Sequence, residues 1–539
     1  MNGGISMVLV YVRNKKNGIT YVYESQGYWD KEKQQSRSKR VCIGKVNPDT
    51  GEIIYSKRLT AELPVISAKS GPIPTTEASH SFYGATYLFD CIGNKLGIID
   101  DLKRCFPDAY RQILSISYYL ILEDRNSLSR FPKWASTHKH PFGSNIASQR
   151  SSELFAGISE NSKEQFFELQ GKRRMEHEFL AYDTTSISSY SNSLTQVRYG
   201  VNKDHDLLPQ INLALLFGEE SKLPFYYRKL PGNIPDVKTI KNLLADIEFL
   251  KYGKVKLVMD RGFYSENNIN ALYQYHYKFL IATKVTLKFV KKELDKVRET
   301  INTRQKYSSK YGLNYHTAMV AWDYSQDRPY KGDTIEAERR MYLHIYFNEA
   351  KAVEDKISFN SMLDFLEEEL LSGKHNPEHE KQYTKYYDIQ TTPVRGMHLT
   401  PKQTAIDEAE KNYGYFALIS NCIKDPFETL EIYRSKDLIE KAFGNLKERL
   451  NMRRTAVSSD VNLEGKLFVQ FIALIYLSYI KKMMSDKNLF KSYTMQELLD
   501  EFDIIECFEQ PGRQLRVGEV TKKQKALFEY MEIEPITLL

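Results

Sequence analysis

The chain has 539 residues, 42% hydrophobic and 27% charged, which excludes a disordered protein and points to two to four folded domains. Its 76 basic and 69 acidic side chains leave a formal net charge of +7, which permits a polyanionic partner without requiring one. Five scattered cysteines (Cys42, Cys91, Cys105, Cys422, Cys507) form no CxxC pair, which argues against a disulfide framework or a thiolate zinc site and points to a reducing cytosol.

Residues 1–61 read as a β region. "GITYVYESQGYW" and "SKRVCIGKV" are strands, and "NPDTGE" is a turn. The "DKEKQQSRSKR" run between the strands is either a solvated hairpin tip or a contact to a nucleic-acid backbone. A linker rich in Ser, Pro and Thr follows, over residues 62–80. Residues 81–175 read as helical, and Ser162 with Gln165 is a capping-box pattern. The "SENS" turn and the later "GKRR" allow a helix-turn-helix reader of DNA, although most such pairs are simply packed helices.

From residue 176 to 283 the pattern changes. "EFLAYDTTSIS", "LPQINLALLFG" and "LPFYYRKLPG" form a strand meander whose first strand ends at Asp183. A helix with Asp236 as candidate N-cap follows, then the strand "KVKLVMD" ending at Asp260, a helix, and the strand "YKFLIAT". The expected fold is α/β, a ribonuclease-H-like mixed sheet flanked by helices. Gly262 is read as permitting a tight turn beside Asp260. Residues 284–412 read as a mainly β insertion, opened by Lys284, Lys288, Lys291 and Lys292 and containing the strand "RMYLHIYF" and the acidic helix "SFNSMLDFLEEELL". The core resumes over 413–485 with "YGYFALISN" and the helix carrying Glu440. "KLFVQFIALIYLSYIKK" is broken by Gln470 and too short to span a bilayer, so it reads as a buried helix. Residues 486–539 read as a helical tail with capping boxes at Thr494/Glu497 and Thr521/Gln524. No signal segment is expected, no membrane partner, and a cytoplasmic location.

In a ribonuclease-H-like sheet the first and fourth strands are neighbours, so Asp183 and Asp260 would meet. Hard divalent ions take oxygen ligands, and phosphoryl transfer by two ions needs shared carboxylates. Glu440 is the expected third. At about 100° per residue, Tyr433, Lys436, Glu440 and Lys447 fall within roughly 60° of arc, so a carboxylate for metal and two lysines for phosphate share one stripe. A single such stripe is more often a solvated charged face. Asp204 and Asp206 rival Asp183, but their polar connection suggests solvation. His375 and His379 in "HNPEHE" are a poor metal pair because Pro377 breaks the helical spacing. No GxxxxGK[ST] loop is present, so no nucleotide cofactor is expected.

The blocks "YDTTS", "MDRGFYS" and "YRSKDLIEKAFGNLK" resemble those of the DDE transposases of bacterial insertion sequences. The similar group has a third block of Tyr, two residues, Arg, three residues, Glu, six residues and Lys. Tyr433, Lys436, Glu440 and Lys447 keep that spacing, with Lys436 in place of Arg. The resemblance implies that Asp183, Asp260 and Glu440 are catalytic and hold two Mg²⁺ or Mn²⁺ ions. It implies cleavage at transposon ends and transfer of the freed 3′-hydroxyl into target DNA, by a homodimer on double-stranded DNA. Tyr433, Lys436 and Lys447 would contact DNA, as would the basic patch of Arg449, Arg453 and Arg454, and Arg261 would contact the DNA strand or pair with Glu440. A metal-dependent nuclease without strand transfer and a catalytically silent DNA-binding derivative are the alternatives.

Overall fold

The computed structural model describes residues 7–15, 17–30, 35–48, 51–55, 78–123, 127–174, 178–252, 255–328, 332–392, 396–455 and 457–536. The chain divides into two units, Met1–Pro74 and Thr75–Leu539. The first is an antiparallel sheet of β1 (Met7–Arg13), β2 (Thr20–Asp30), β3 (Gln35–Val46) and β4 (Ile53–Tyr55), in that order. Most of the expected "DKEKQQSRSKR" loop is strand, because β2 runs to Asp30 and β3 starts at Gln35. Its remaining residues, and nearly all of the expected linker, lie outside the described residues.

The second unit begins with β5 (Ser79–Phe82) and six helices: α1 (Gly84–Lys95), α2 (Ile98–Cys105), α3 (Tyr110–Leu122), α4 (Phe131–Ala135), α5 (Ser148–Gly157) and α6 (Glu160–Arg174). Helix α6 starts before Ser162, because Ser159 Oγ accepts the Ser162 N–H (3.2 Å) and caps the turn instead. Its basic end is used internally: Lys172 pairs with Glu168, and Arg173 with the buried Asp101 at 2.7 Å.

The main sheet contains β6 (Phe179–Ser189), β7 (Gln210–Gly218), β8 (Pro224–Pro231), β9 (Lys256–Met259) and β10 (Lys278–Thr283). Spatially these run β8-β7-β6-β9-β10, with β6, β9 and β10 mutually parallel. Helix α7 (Asp236–Phe249) joins β8 to β9 and α8 (Glu266–Gln274) joins β9 to β10. Residues alternate between faces along each strand. Leu257, Met259, Phe279 and Ile281 pack in the core that holds α7 and α8, while Val258 and Leu280 join Leu430 in a second core. Covered on both faces, β6 and β7 are buried throughout apart from Phe179 at the end of β6, which is why their sequences carry no polar-out alternation.

The interval 284–412 holds helix and strand in similar measure: α9 (Lys288–Val297), β11 (Tyr307–Ser308), β12 (Leu313–Arg328), β13 (Asp333–Phe347), α10 (Glu349–Leu371), α11 (Glu380–Tyr386), β14 (Tyr387–Thr392), β15 (Gly396–Pro401) and α12 (Gln403–Glu410). The long β12–β13 hairpin does not stand apart. It extends the main sheet, since β13 pairs with β16 (Tyr415–Ser420), which pairs with β10. A small separate core of Leu366, Leu370, Tyr383, Tyr386 and Tyr387 holds α10 and α11 together.

After β16 come α13 (Pro426–Ser435), α14 (Asp437–Gly444), a π-turn over Asn445–Arg449, and β17 (Arg454–Thr455), which pairs with the end of β6. Helix α15 (Asp460–Asp486) has 27 residues and, contrary to the expectation, is long and apolar enough to cross a membrane by length and composition. Its middle is buried, packed on α3 and α5. The C-terminal segment adds α16 (Met495–Asp503), β18 (Glu506–Glu509), β19 (Arg516–Val517) and α17 (Lys522–Tyr530). Both expected capping boxes are formed. The segment is not helical alone, because β18 pairs with β5 and β19.

Candidate functional site

Parallel pairing of β6 with β9 reaches Tyr182–Met259, and the next residues on each strand are Asp183 and Asp260. Tyr182 packs on Phe263 on the α7 side, so its successor Asp183 faces the α13–α14 side. Asp260 does the same, since Val258 shares a core with Leu430 of α13. Asp183 does not end its strand: β6 continues to Ser189 while β9 stops at Met259. Between Asp183 and Ser188, where β17 takes up the pairing, the β9 edge of β6 is therefore open, and a cleft of about 460 Å³ is lined by residues of this stretch. Asp183, Asp204, Asp236, Asp260, Glu440, Lys203 and Lys447 all line it. A larger groove of about 1200 Å³ continues from Asp260, Arg261 and Gly262 past Lys284, Lys351 and Tyr433.

The Glu440 helix is not one regular α-helix. At Lys436 the bonds tighten, with Lys436 N–H to Tyr433 O (3.2 Å) and Ile439 N–H to Lys436 O (2.9 Å). After Glu440 they loosen, with Leu450 N–H to Asn445 O at 3.0 Å. Tightening and loosening shift the helical phase in opposite senses, so Lys447 still reaches the cleft that holds Glu440. Tyr433 donates its hydroxyl to Asp260 Oδ1 at 2.6 Å. Lys436 Nζ lies 3.3 Å from Asp260 Oδ2 and 3.2 Å from Glu440 Oε1. Glu440 thus pairs with Lys436 rather than with Arg261, which is exposed.

Two further residues belong to the cleft. Asp236, expected as an N-cap, is the first residue of α7 and caps nothing. Its carboxylate instead accepts the Thr184 hydroxyl and pairs with Lys203 Nζ at 3.1 Å. Lys203 also reaches Asp183 Oδ1 (3.3 Å), Thr184 O (2.7 Å) and Thr184 Oγ1 (2.8 Å). A carboxylate beside a helix start is usually a cap, and Lys203 is 20 positions from Asp183, so neither residue carried a local signal. Asp204 is not merely solvated, since it holds Lys447 at 2.6 Å.

Burial pushes the Asp183 carboxyl up, opposed by Lys203 and Lys436. Asp260 is also raised by burial, but the Tyr433 hydroxyl and Lys436 more than offset this and hold it below the usual carboxylate range. Burial lowers Lys436, and Asp260, Asp183 and Glu440 together outweigh it, so the ammonium is firmly charged. Of the basic patch, Arg449 donates to Gln496 of α16 (2.7 Å), Arg454 pairs with Asp206 at 3.1 Å, and Arg453 stands beside Glu448 at 3.9 Å. Gly262 has no left-handed backbone, and a β-carbon there would meet only Asp236, at 3.5 Å. The turn after Asp260 is a 3₁₀ turn over Arg261–Phe263, and Ser265 caps α8 through Asn268 N–H. His379 bonds Glu369 (2.7 Å), and His375 lies near Glu380 (3.4 Å). All five cysteines are free, and Cys42 is exposed rather than buried.

Among the described residues, no group of three His, Cys, Asp or Glu side chains is drawn in tightly enough to enclose a metal ion. Lysine ammonium groups stand between the carboxylates instead: Lys436 between Asp260 and Glu440, Lys203 between Asp183 and Asp236. The donor set nevertheless fits a hard divalent cation, being all carboxylate oxygen and already organised around positive charge.

The family model for the transposase DDE domain matches residues 174–476, a span that takes in Asp183, Asp260 and Glu440. Among solved structures, a piggyBac transposase synaptic complex with hairpin DNA is similar over 76% of this chain and 69% of that chain. The TM-score is 0.33 and the identity 10%, a likeness too slight to carry an argument. No curated protein sequence matches significantly.

Proposed function

The chain belongs to the transposase DDE family, and from that premise we propose that it is the DNA transposase of an insertion sequence. It cleaves at the transposon ends and transfers the 3′-hydroxyl into target DNA, acting as a homodimer on double-stranded DNA without a nucleotide cofactor. We read its sheet as ribonuclease-H-like, on the β8-β7-β6-β9-β10 strand order. The observation that carries the reading is the single cleft lined by Asp183, Asp260 and Glu440, from three separate elements.

Two divalent ions, Mg²⁺ or Mn²⁺, held by Asp183, Asp260 and Glu440 would supply Lewis acidity at the attacking and leaving oxygens. Asp183 is fixed for this work by the Thr184 N–H (2.7 Å), and Asp260 is kept ionised by Tyr433 and Lys436. Glu440, with 60% of its side chain exposed, is free to adjust when the cleft fills. Lys447 and Arg261 present positive charge at the cleft and along the adjoining groove, where phosphates of the DNA backbone would lie. Arg453 and Arg454, exposed beyond the Glu440 helix, would add further phosphate contacts, and Arg449 anchors its helical turn on Gln496. In cleavage the oxygen of water would bond to phosphorus as the P–O3′ bond breaks, leaving a 5′-phosphate and a 3′-hydroxyl; in transfer that 3′-hydroxyl would attack a target phosphodiester and release the target strand's own 3′-hydroxyl, so neither step needs a covalent enzyme intermediate.

The test uses DNA carrying the ends that flank the chain's own gene. The wild type should nick these ends and join a precut end to target. Asp183→Ala, Asp260→Ala and Glu440→Gln should bind ends but neither nick nor join. Nicking without joining of precut ends would reduce the activity to a nuclease, and full cleavage by any one variant would remove that residue from the triad.

A further inference from the structure

Lys203 and Lys436 both meet carboxylates of the proposed triad, and they are held in different ways. Lys203 has four oxygen partners, and only one of them, Asp183, belongs to the proposed triad; Asp236 and the carbonyl and hydroxyl of Thr184 remain to it whatever Asp183 binds. Lys436 has two partners in the cleft, Asp260 and Glu440, and both belong to the triad. Its side chain is only 6% exposed, whereas those of Asp260 and Glu440 are 42% and 60% exposed. An ammonium sitting between two carboxylates screens their repulsion, and it repels any second cation that approaches the same oxygens.

We infer that Lys436 is an internal counter-cation that holds Asp260 and Glu440 together until a divalent ion takes its place, and that Lys203 is a fixed positioning group clamped by Asp236. This inference rests on the metal reading of the cleft. Ion binding costs Lys436 both of its carboxylate partners and frees its ammonium to meet another anion, of which a DNA phosphate is the one at hand. Lysine suits such a role better than arginine, because its compact charge rides on a flexible four-carbon stem and does not lock a carboxylate in a two-pronged grip. The departure from the resembling group at this position then has a consequence: metal loading and phosphate contact become coupled through one side chain. Asp236 matters because it keeps the second ammonium, that of Lys203, anchored beside Asp183 rather than competing freely for it.

The test needs no DNA. Mn²⁺ binding to the full-length protein is measured by titration calorimetry and by the EPR signal of free Mn²⁺, for wild type, Lys436→Met and Lys436→Arg. Methionine fills nearly the same volume without charge, so Lys436→Met should bind Mn²⁺ roughly tenfold more tightly, as expected when about 1.4 kcal/mol of opposing interaction is removed. Without metal it should melt at lower temperature than wild type, because Asp260 and Glu440 then repel unscreened, and saturating Mn²⁺ should close that gap. Lys436→Arg keeps the charge and should stay within about threefold of the wild-type affinity. Circular dichroism at low temperature verifies that Lys436→Met is folded, and Lys203→Met supplies an independent comparison. Lys203→Met should be destabilised, and Mn²⁺ should not close its gap, because Asp236, which is outside the proposed triad, loses its cation and keeps only the Thr184 hydroxyl. Carboxylate-dependent Mn²⁺ binding that is unchanged in Lys436→Met would overturn the counter-cation role alone. Binding that is absent from wild type, or indifferent to Asp183→Ala and Asp260→Ala, would overturn the metal reading beneath it.

Discussion

The Tyr433–Asp260 contact ties the Glu440 helix to the sheet, and its strength can be predicted. Tyr433→Phe removes one hydroxyl and leaves the ring in place. The lost bond is short, 2.6 Å, and its acceptor is an ionised carboxylate. Hydrogen bonds to charged groups contribute about 1.5–3 kcal/mol when buried. The Asp260 side chain is 42% exposed, and solvent screening brings the expectation below that range, to about 1–1.5 kcal/mol. The single substitution also perturbs packing, so the measurement is a double-mutant cycle of Tyr433→Phe with Asp260→Ala, by urea denaturation without metal at pH 7. Asp260 titrates below the usual carboxylate range in the folded protein, so its contribution is present above the unfolded-state pKa and lost as pH falls through the folded one. At pH 7 the coupling is therefore fully expressed. A coupling below about 0.3 kcal/mol, within the scatter for independent sites, would refute the view that this bond fixes the helix to the sheet.

Other parts of the molecule give independent expectations. Glu219 is pushed up to about 7 from 4.5 by burial. An acid raised in this way stabilises the fold below its unfolded-state pKa and loses that contribution as pH rises through 7. Glu219→Gln should match wild type near pH 4.5 and become more stable by about 1–2 kcal/mol near pH 8 in urea titrations, the full shift being reduced by solvent screening of this half-buried group; a difference independent of pH would contradict the shift. Gly465 of α15 lies against the backbone of Phe155 in α5, where a β-carbon would overlap the carbonyl. Gly465→Ala should therefore lower stability by about 2–3 kcal/mol in the same assay, and a neutral result would show that the two helices can separate. Arg261→Ala should weaken duplex DNA binding and reduce the slope of log affinity against log salt by about one, measured by fluorescence anisotropy; an unchanged slope would remove Arg261 from phosphate contact.

Asp260 was legible because a strand that stops just before a carboxylate leaves a local pattern, and Glu440 because the helical spacing from Tyr433 to Lys447 leaves another; Asp183 was singled out on a strand end that the structure moves to Ser189. Their environment was less so. The extension of β6 beyond Asp183 depends on pairing with β7 and β17, which no window around "DTTSIS" contains. The tight turn at Lys436 has no proline or glycine to announce it, and the contacts that flank it, from Tyr433 and Lys436 to Asp260, are long-range. Asp236 resembled a helix cap until its neighbour across the cleft, Thr184, was known. The β12–β13 hairpin lies in an interval read as an insertion, yet its pairing with β16 makes it part of the main sheet, a long-range choice invisible to local alternation.

The central claim is that Asp183, Asp260 and Glu440 form one divalent-ion site. Crystals of the protein grown with Mn²⁺ and measured at the manganese absorption edge test it most directly. Anomalous density is expected within coordination distance of all three carboxylates, with the Lys436 ammonium displaced from between Asp260 and Glu440. Ordered Mn²⁺ bound elsewhere, with Lys436 still bridging those two carboxylates, would contradict it.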